Sequence, residues 1–182
     1  MKSKVLALIL LCGAASLGAK VKLPALVGDN MILQQQTEVK LWGTAAPEAE
    51  GSGTPSWNGQ TMTCRADKDG GWTLAVETPA AGYTPYEITF DDGEKTTLKN
   101  ILIGEVWLAS GQSNMEMPLK GFAGCCIMNG ADDIIVSAEN KGVRMFTVPK
   151  HQTYELQTDC KGSWNISSIE TAPDFSATAY YF

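Results

Sequence analysis

Histidine is nearly missing from this chain: His151 is the only one in 182 residues. A single imidazole cannot build a histidine-rich zinc set, and no C-x-x-C spacing offers thiolates instead. Basic charge is also short, with 14 Lys and Arg against 20 Asp and Glu, for a net of −6. With no basic stripe to neutralise phosphates, the composition argues against a nucleic-acid partner. It does not favour anionic substrates either, although a local cluster can override the global sign. Beyond the N-terminus no apolar run is long enough to span a bilayer. Internal repeats and low-complexity tracts are absent too.

What is present is the composition of a folded globular protein, 44% hydrophobic and 19% charged. The first residues, Met1-Lys2-Ser3-Lys4, are positive, and Val5 to Cys12 are almost wholly apolar. Small residues follow from Gly13 to Ala19, so residues 1–19 read as a secretory signal cut just before or after Ala19. Bulky Leu10 and Leu11 disfavour a lipoprotein reading of Cys12. The expected location is secreted or periplasmic, with no membrane span once the signal is removed. About 160 residues then remain, one domain or two small ones. Cys64, Cys125, Cys126 and Cys160 also remain, and export permits disulfides. Four thiols allow three pairings that the sequence does not choose between, though adjacent Cys125 and Cys126 rarely bond to each other.

Residues 20–100 read as β-structure. Short β-prone clusters recur at Met31-Ile32-Leu33, Val39 to Trp42, Trp72 to Val76, Tyr86 to Phe90 and Thr96 to Leu98. Turn clusters separate them, and Asp91-Asp92-Gly93-Glu94 between two such runs predicts a hairpin. Ala45 to Asn58, rich in Ala, Pro, Gly and Ser, reads as a loop. The sum predicts a small antiparallel β-sandwich. Trp42, Trp72 and Trp107 fall in strand-like runs and are expected in the core. Trp57 and Trp164, in loops, are the expected sugar-stacking candidates.

From residue 101 the pattern changes. A continuous apolar run, Ile101 to Ala109, stops at Ser110-Gly111-Gln112-Ser113-Asn114. A buried strand ending in small polar residues presents a hydroxyl at the carboxyl edge of a sheet, where open α/β sheets bind ligands. Gly111 lets the backbone turn sharply there. A short helix around Ala131 to Glu139, a strand at Val143 to Val148 and a helix beginning within Asp174 to Phe182 are expected next. Asp159 to Ser168 looks like loop. Strand, crossover and strand would open an α/β sheet in residues 101–182, too few to close one.

The block Gly104-Glu105-Val106-Trp107-Leu108-Ala109-Ser110-Gly111-Gln112-Ser113-Asn114-Met115-Glu116 resembles the sialate O-acetylesterase family, carbohydrate esterases of the SGNH-hydrolase superfamily. Asp29 to Gln34, Val39 to Gly43, Asp69 to Trp72, Val143 to Val148 and Asp174 to Phe182 extend the likeness over nearly all of the chain after residue 22. The resemblance implies a β-sandwich over 20–100, then the N-terminal part of a flavodoxin-like three-layer α/β esterase domain over 101–182, incomplete. It implies Ser113 as the nucleophile, with Gln112, Asn114 and Glu116 as oxyanion or substrate-binding candidates. It also implies an acetylated sugar or sialoglycan as substrate, and no metal or organic cofactor.

The residues themselves temper each role. Gln112 serves equally as a structural amide, Asn114 as a turn residue accepting a backbone N–H, and Glu116 as a solvated carboxylate. In the family a D-x-x-H block supplies the base. Val148-Pro149-Lys150 precede His151, so His151 reads as an exposed loop residue rather than that base. Two further readings stand beside the esterase: a non-catalytic carbohydrate-binding β-sandwich module, and a truncated fragment without function of its own. The sequence carries no signal for oligomeric state.

Overall fold

The computed structural model describes residues 20–182, so residues 1–19, read from sequence as a secretory signal, lie outside the described residues. Seven strands come first: β1 (Ile32–Gln34), β2 (Glu38–Thr44), β3 (Glu50–Pro55), β4 (Met62–Arg65), β5 (Gly71–Glu77), β6 (Gly82–Asp91) and β7 (Lys95–Gly104). Five of them form one curled sheet in the order β1-β7-β6-β3-β4, a half-barrel. β1 runs parallel to β7 and the other pairs are antiparallel, so the sheet is mixed rather than purely antiparallel. β2 and β5 make a separate antiparallel ribbon, in register from Glu38 opposite Glu77 to Thr44 opposite Gly71.

Ribbon and sheet share one core. Trp72, Leu74 and Val76 alternate with exposed residues along β5, the period-two pattern of a half-buried strand. They pack with Leu41 of β2, Met31 and Leu33 near β1, Ile88 and Phe90 of β6, and Leu98, Ile101 and Ile103 of β7. Each such side chain contributes roughly 1.5–3 kcal/mol by leaving water. The predicted hairpin joins β6 to β7, pairing Asp91 with Lys95.

The expected loop over Ala45 to Asn58 instead contains β3. Its sequence, Glu50-Gly51-Ser52-Gly53-Thr54-Pro55, has no β-branched apolar residue, yet it pairs on both sides, with β4 and with β6. Packing over it is close: a Cβ on Gly53 would sit 2.3 Å from Leu74 Cδ2, so the leucine would have to shift.

The strand expected over Ile101 to Ala109 stops at Gly104. Among the described residues its only parallel neighbour, β1, ends at Gln34, which pairs with Gly104, and no strand continues beside the chain. Ile101 to Gly104 are buried as the end of β7 in the first sheet, while residues 105–112 are exposed and irregular. Downstream lie α1 (Ser113–Glu116), α2 (Gly130–Val136, extended by a 3₁₀ turn to Glu139), β8 (Arg144–Phe146), β9 (Trp164–Ile166) and α3 (Ala177–Tyr181). β8 pairs antiparallel with β9, inside the expected loop over Asp159 to Ser168, rather than with a parallel neighbour across a crossover. A second, smaller core joins Leu119, Met145, Ala172 and Ala177.

Arg144 ties the two regions together. Its guanidinium donates to the carbonyl oxygens of Asn30 and Asn100, each at 3.3 Å, and to Asn100 Oδ1 at 3.2 Å. Both asparagines are left-handed, with φ of 64° and 58°, a conformation asparagine tolerates better than most residues. Burial holds the Arg144 guanidinium below its usual pKa.

Candidate active site

The chain leaves β7 through a carboxylate clamp. Gln34 Nε2 donates to Glu105 Oε2 at 3.0 Å and Gln35 Nε2 to Glu105 Oε1 at 2.6 Å. Gln34 Oε1 accepts the Val106 N–H at 2.9 Å, and Gln35 Oε1 accepts the Ala81 N–H at 2.8 Å. The bonds from Gln34 and then Gln35 hold the Glu105 carboxyl below the ordinary glutamate pKa. Beyond the clamp, Val106, Trp107 and Leu108 are 42, 67 and 93% exposed. Trp107 packs edge-on against Phe182, with ring centroids 4.9 Å apart.

Gly111 then permits the next turn: a Cβ there would lie 2.8 Å from Met115 Cγ. Gln112 is extended (φ −113°, ψ −151°), caps α1 with no side-chain bond, and accepts the Met115 N–H on its carbonyl at 2.8 Å. Ser113 is the first residue of that single turn, and it is exposed.

The turn is braced by the C-terminal helix. Thr178 Oγ1 donates to the Asn114 carbonyl at 3.2 Å, and the Ala177 N–H donates to the Met117 carbonyl at 2.8 Å. Leu119 N–H reaches the Phe175 carbonyl at 2.9 Å, and Ser176 Oγ caps α3 by accepting the Ala179 N–H at 3.3 Å. Asn114 thus supports the turn through its backbone carbonyl, not through the side-chain acceptor expected from sequence. Glu116 is ion-paired with Lys150 Nζ at 2.6 Å. Both partners are largely exposed, so the pair is worth well under about 1 kcal/mol. It brings the segment carrying His151 alongside α1, yet His151 is exposed and no hydrogen bond joins it to Ser113 among the described residues.

The tryptophan assignments partly invert. Trp72 is core, as expected, but Trp42 is 38% and Trp107 67% exposed. Trp57 and Trp164 are half-buried: their indole N–H groups donate to the Glu77 and Leu26 carbonyls, both at 2.9 Å, and their rings pack on Tyr86 and Phe146. Among the described residues Cys125 and Cys126 are exposed, Cys64 and Cys160 half-buried, and all four are free thiols. No group of three or more metal-ligating side chains clusters among the described residues. No helix among them is long and apolar enough to cross a membrane.

Sequence reasoning missed Gln34, Gln35 and Glu105, which aim the chain toward Ser113, and Thr178 and Lys150, which steady α1. Gln34-Gln35-Gln36 at a strand end was the available signal, but nothing in it names Glu105 as the partner.

No family model matches the chain. Two curated proteins do. The sialate O-acetylesterase of Rattus norvegicus is 26% identical over 175 residues, covering 88% of this chain and 31% of its own length. That of Mus musculus is 26% identical over 165 residues, covering 85% and 29%. A carbohydrate acetylesterase from Xanthomonas citri, known from its crystal structure, superposes with a TM-score of 0.80 at 30% identity. It covers 89% of this chain and 36% of that one. The chain spans about a third of the length of the relatives it matches. Over most of its own length it is a distant homologue of the sialate O-acetylesterases, with the structural likeness of a portion of a carbohydrate acetylesterase.

Proposed function

We propose that the chain is the nucleophile-bearing portion of an exported carbohydrate O-acetylesterase, a serine carboxylic-ester hydrolase like the sialate O-acetylesterases it resembles. The observation that carries this reading is Ser113, exposed at the head of α1 within the Gly111-Gln112-Ser113-Asn114-Met115 block. In this reading residues 20–100 are the β-sandwich-like domain, and residues 101–182 open a three-layer SGNH-type α/β domain. Residues 1–19 direct export to the periplasm or exterior.

The chemistry needs an activated hydroxyl. A base removes the Ser113 proton as Oγ attacks the acetyl carbonyl, and backbone N–H groups of the turn hold the oxyanion. The sugar oxygen then leaves with a proton, giving an acetyl-serine ester and a free sugar hydroxyl. Water cleaves that ester to acetate and restores Ser113. Gln112 and Asn114 frame the turn, and Glu116, once freed from Lys150, faces sugar hydroxyls. The base and its carboxylate partner come from residues beyond this chain's match.

Acetate release from acetylated sugars is the test. In a complete protein carrying these residues, Ser113→Ala abolishes release. The 182-residue chain alone stays nearly inactive, because without the triad partners only ~10³–10⁴ over water remains. Full turnover by the chain alone would overturn the assignment and make His151 the base.

A further inference from the structure

The outer face of the five-stranded sheet carries a trough that the esterase chemistry does not use. Ser52 and Thr54 of β3 point outward, alternating with buried Gly53 and Pro55. Glu87, Thr89 and Asp91 of β6 alternate in the same way with buried Ile88 and Phe90. The register sets these side chains in rows: Ser52, Asp91 and Lys95 across three strands, then Thr54, Thr89 and Thr97. Neighbouring strands are about 4.8 Å apart, so the rows form a regular grid of hydroxyls.

The grid is held in place. Thr54 Oγ1 and Thr61 Oγ1 are 2.8 Å apart, Thr89 Oγ1 and Thr97 Oγ1 3.0 Å apart. Ser56 Oγ accepts the Glu87 N–H at 2.9 Å, and the Ser56 to Thr61 segment walls one side of the trough. One Asp91 oxygen accepts the Gly93 N–H at 3.0 Å, leaving the other for a ligand. Neither Glu87 nor Lys95 forms an ion pair among the described residues. A threonine hydroxyl donates once and accepts twice, so each pair keeps spare capacity.

We propose that this trough is a binding subsite for a neutral oligosaccharide, separate from Ser113. The inference rests on the reading that the protein works on carbohydrate. Short hydroxyls in rows along the trough match the hydroxyl pattern of a sugar face, and the carboxylates of Glu87 and Asp91 accept from its diols. Two carboxylates against one ammonium repel an anionic sugar, so a sialoside is disfavoured here. Pro55 is the single apolar side chain in the lining, too little apolar surface for a lipid. β3 and β6 are interior strands, which excludes an added peptide strand.

Isotope-labelled full chain titrated with neutral xylo- and gluco-oligosaccharides, and with sialyllactose, tests this. Shifts are expected at β3 and β6 amides and not at residues 112–117, with sialyllactose about tenfold weaker or absent. Thr54→Val with Thr89→Val, which keeps the β-branched shape, weakens binding by about tenfold or more. Glu87→Lys, independent of that pair, shifts the preference toward sialyllactose. No shifts with any neutral oligosaccharide, or a response indifferent to both variants, overturns the subsite. The esterase reading fails separately, if acetate release by a complete protein survives Ser113→Ala.

Discussion

Gln34 reads Glu105 and Val106 at once: its amide nitrogen lies 3.0 Å from Glu105 Oε2, and its amide oxygen accepts the Val106 N–H at 2.9 Å. One side chain on β1 therefore sets the direction in which the chain leaves β7 for Ser113. Glu105 orients that amide, and a carboxyl whose pKa is lowered in the fold favours the fold only while ionised. Its contribution is fully present above the ordinary glutamate value of 4.5 and is lost as pH falls through the lower folded value. Protection of the Val106 N–H from hydrogen exchange should fall in Glu105→Ala at neutral pH, and in the native chain only as pH drops through the lowered Glu105 value. Equal protection in both proteins at neutral pH would remove the clamp from the account.

Gly43 cannot accept a methyl group. A Cβ there would fall 2.4 Å from the Lys22 carbonyl oxygen and 2.6 Å from Trp72 Cζ2. The carbonyl cannot retreat, because Lys22 and Thr44 exchange two backbone bonds of 2.8 and 2.9 Å. Gly43→Ala should cost about 2 kcal/mol or more, seen as a lower urea midpoint with an unchanged slope. Gly59, with nothing near its Cβ but a φ of 65°, is the comparison: there the cost is backbone strain alone, about 1 kcal/mol.

Gly53 marks one place where sequence reasoning failed. Trp72 to Val76 and Tyr86 to Phe90 alternate, so their strands were legible; Gly51-Ser52-Gly53 carries no such signal, and Leu74 from the opposite layer packs close over Gly53. The strand read through Ala109 failed for a related reason. Hydrophobicity in Val106-Trp107-Leu108 signals affinity for a sheet, but a strand also needs a neighbour, and β1 runs out at Gln34. Ser113 was legible as a motif. Its supports were not, since Thr178 and Lys150 lie 65 and 37 residues further on and reach it only through the fold.

Arg144 should be costly to truncate. Arg144→Ala strands the carbonyls of Asn30 and Asn100 and the Asn100 side chain in a half-buried place, worth roughly 1–3 kcal/mol. Arg144→Lys restores a charge without the planar fork that spans the two asparagines and should recover little. Urea unfolding of the three proteins measures both. Full recovery by lysine would mean that charge, not geometry, holds the two regions together.

Tyr181 gives alkaline pH a specific effect. Its hydroxyl donates to Asp133 Oδ2 at 2.6 Å, which pushes the phenol up to about 12 and links α3 to α2. Folding raises this pKa from 10.0, so the stabilisation is whole below pH 10 and disappears as pH climbs through about 12. The ring is half exposed, which keeps the effect small. Phenolate absorbance should show one late-titrating tyrosine that Tyr181→Phe removes. If the last phenol persists in that variant, the bond to Asp133 is not the cause.

Trp107 tests what surrounds the segment leading into Ser113. Its ring is 67% exposed and touches Phe182, whereas Trp72 is buried and Trp57 and Trp164 are half-buried and bonded to carbonyls. Acrylamide should therefore quench Trp107 most readily, and Trp107→Phe should remove the most accessible part of the emission. A strand position would shield the same ring on both faces, as Ile101 to Gly104 are shielded. In a complete protein with this segment seated in an α/β sheet, as the proposed fold requires, the accessible component should vanish without any substitution. Its persistence there would deny the segment a strand role and would leave Ser113 on a free loop, poorly placed for an oxyanion site that depends on fixed N–H groups.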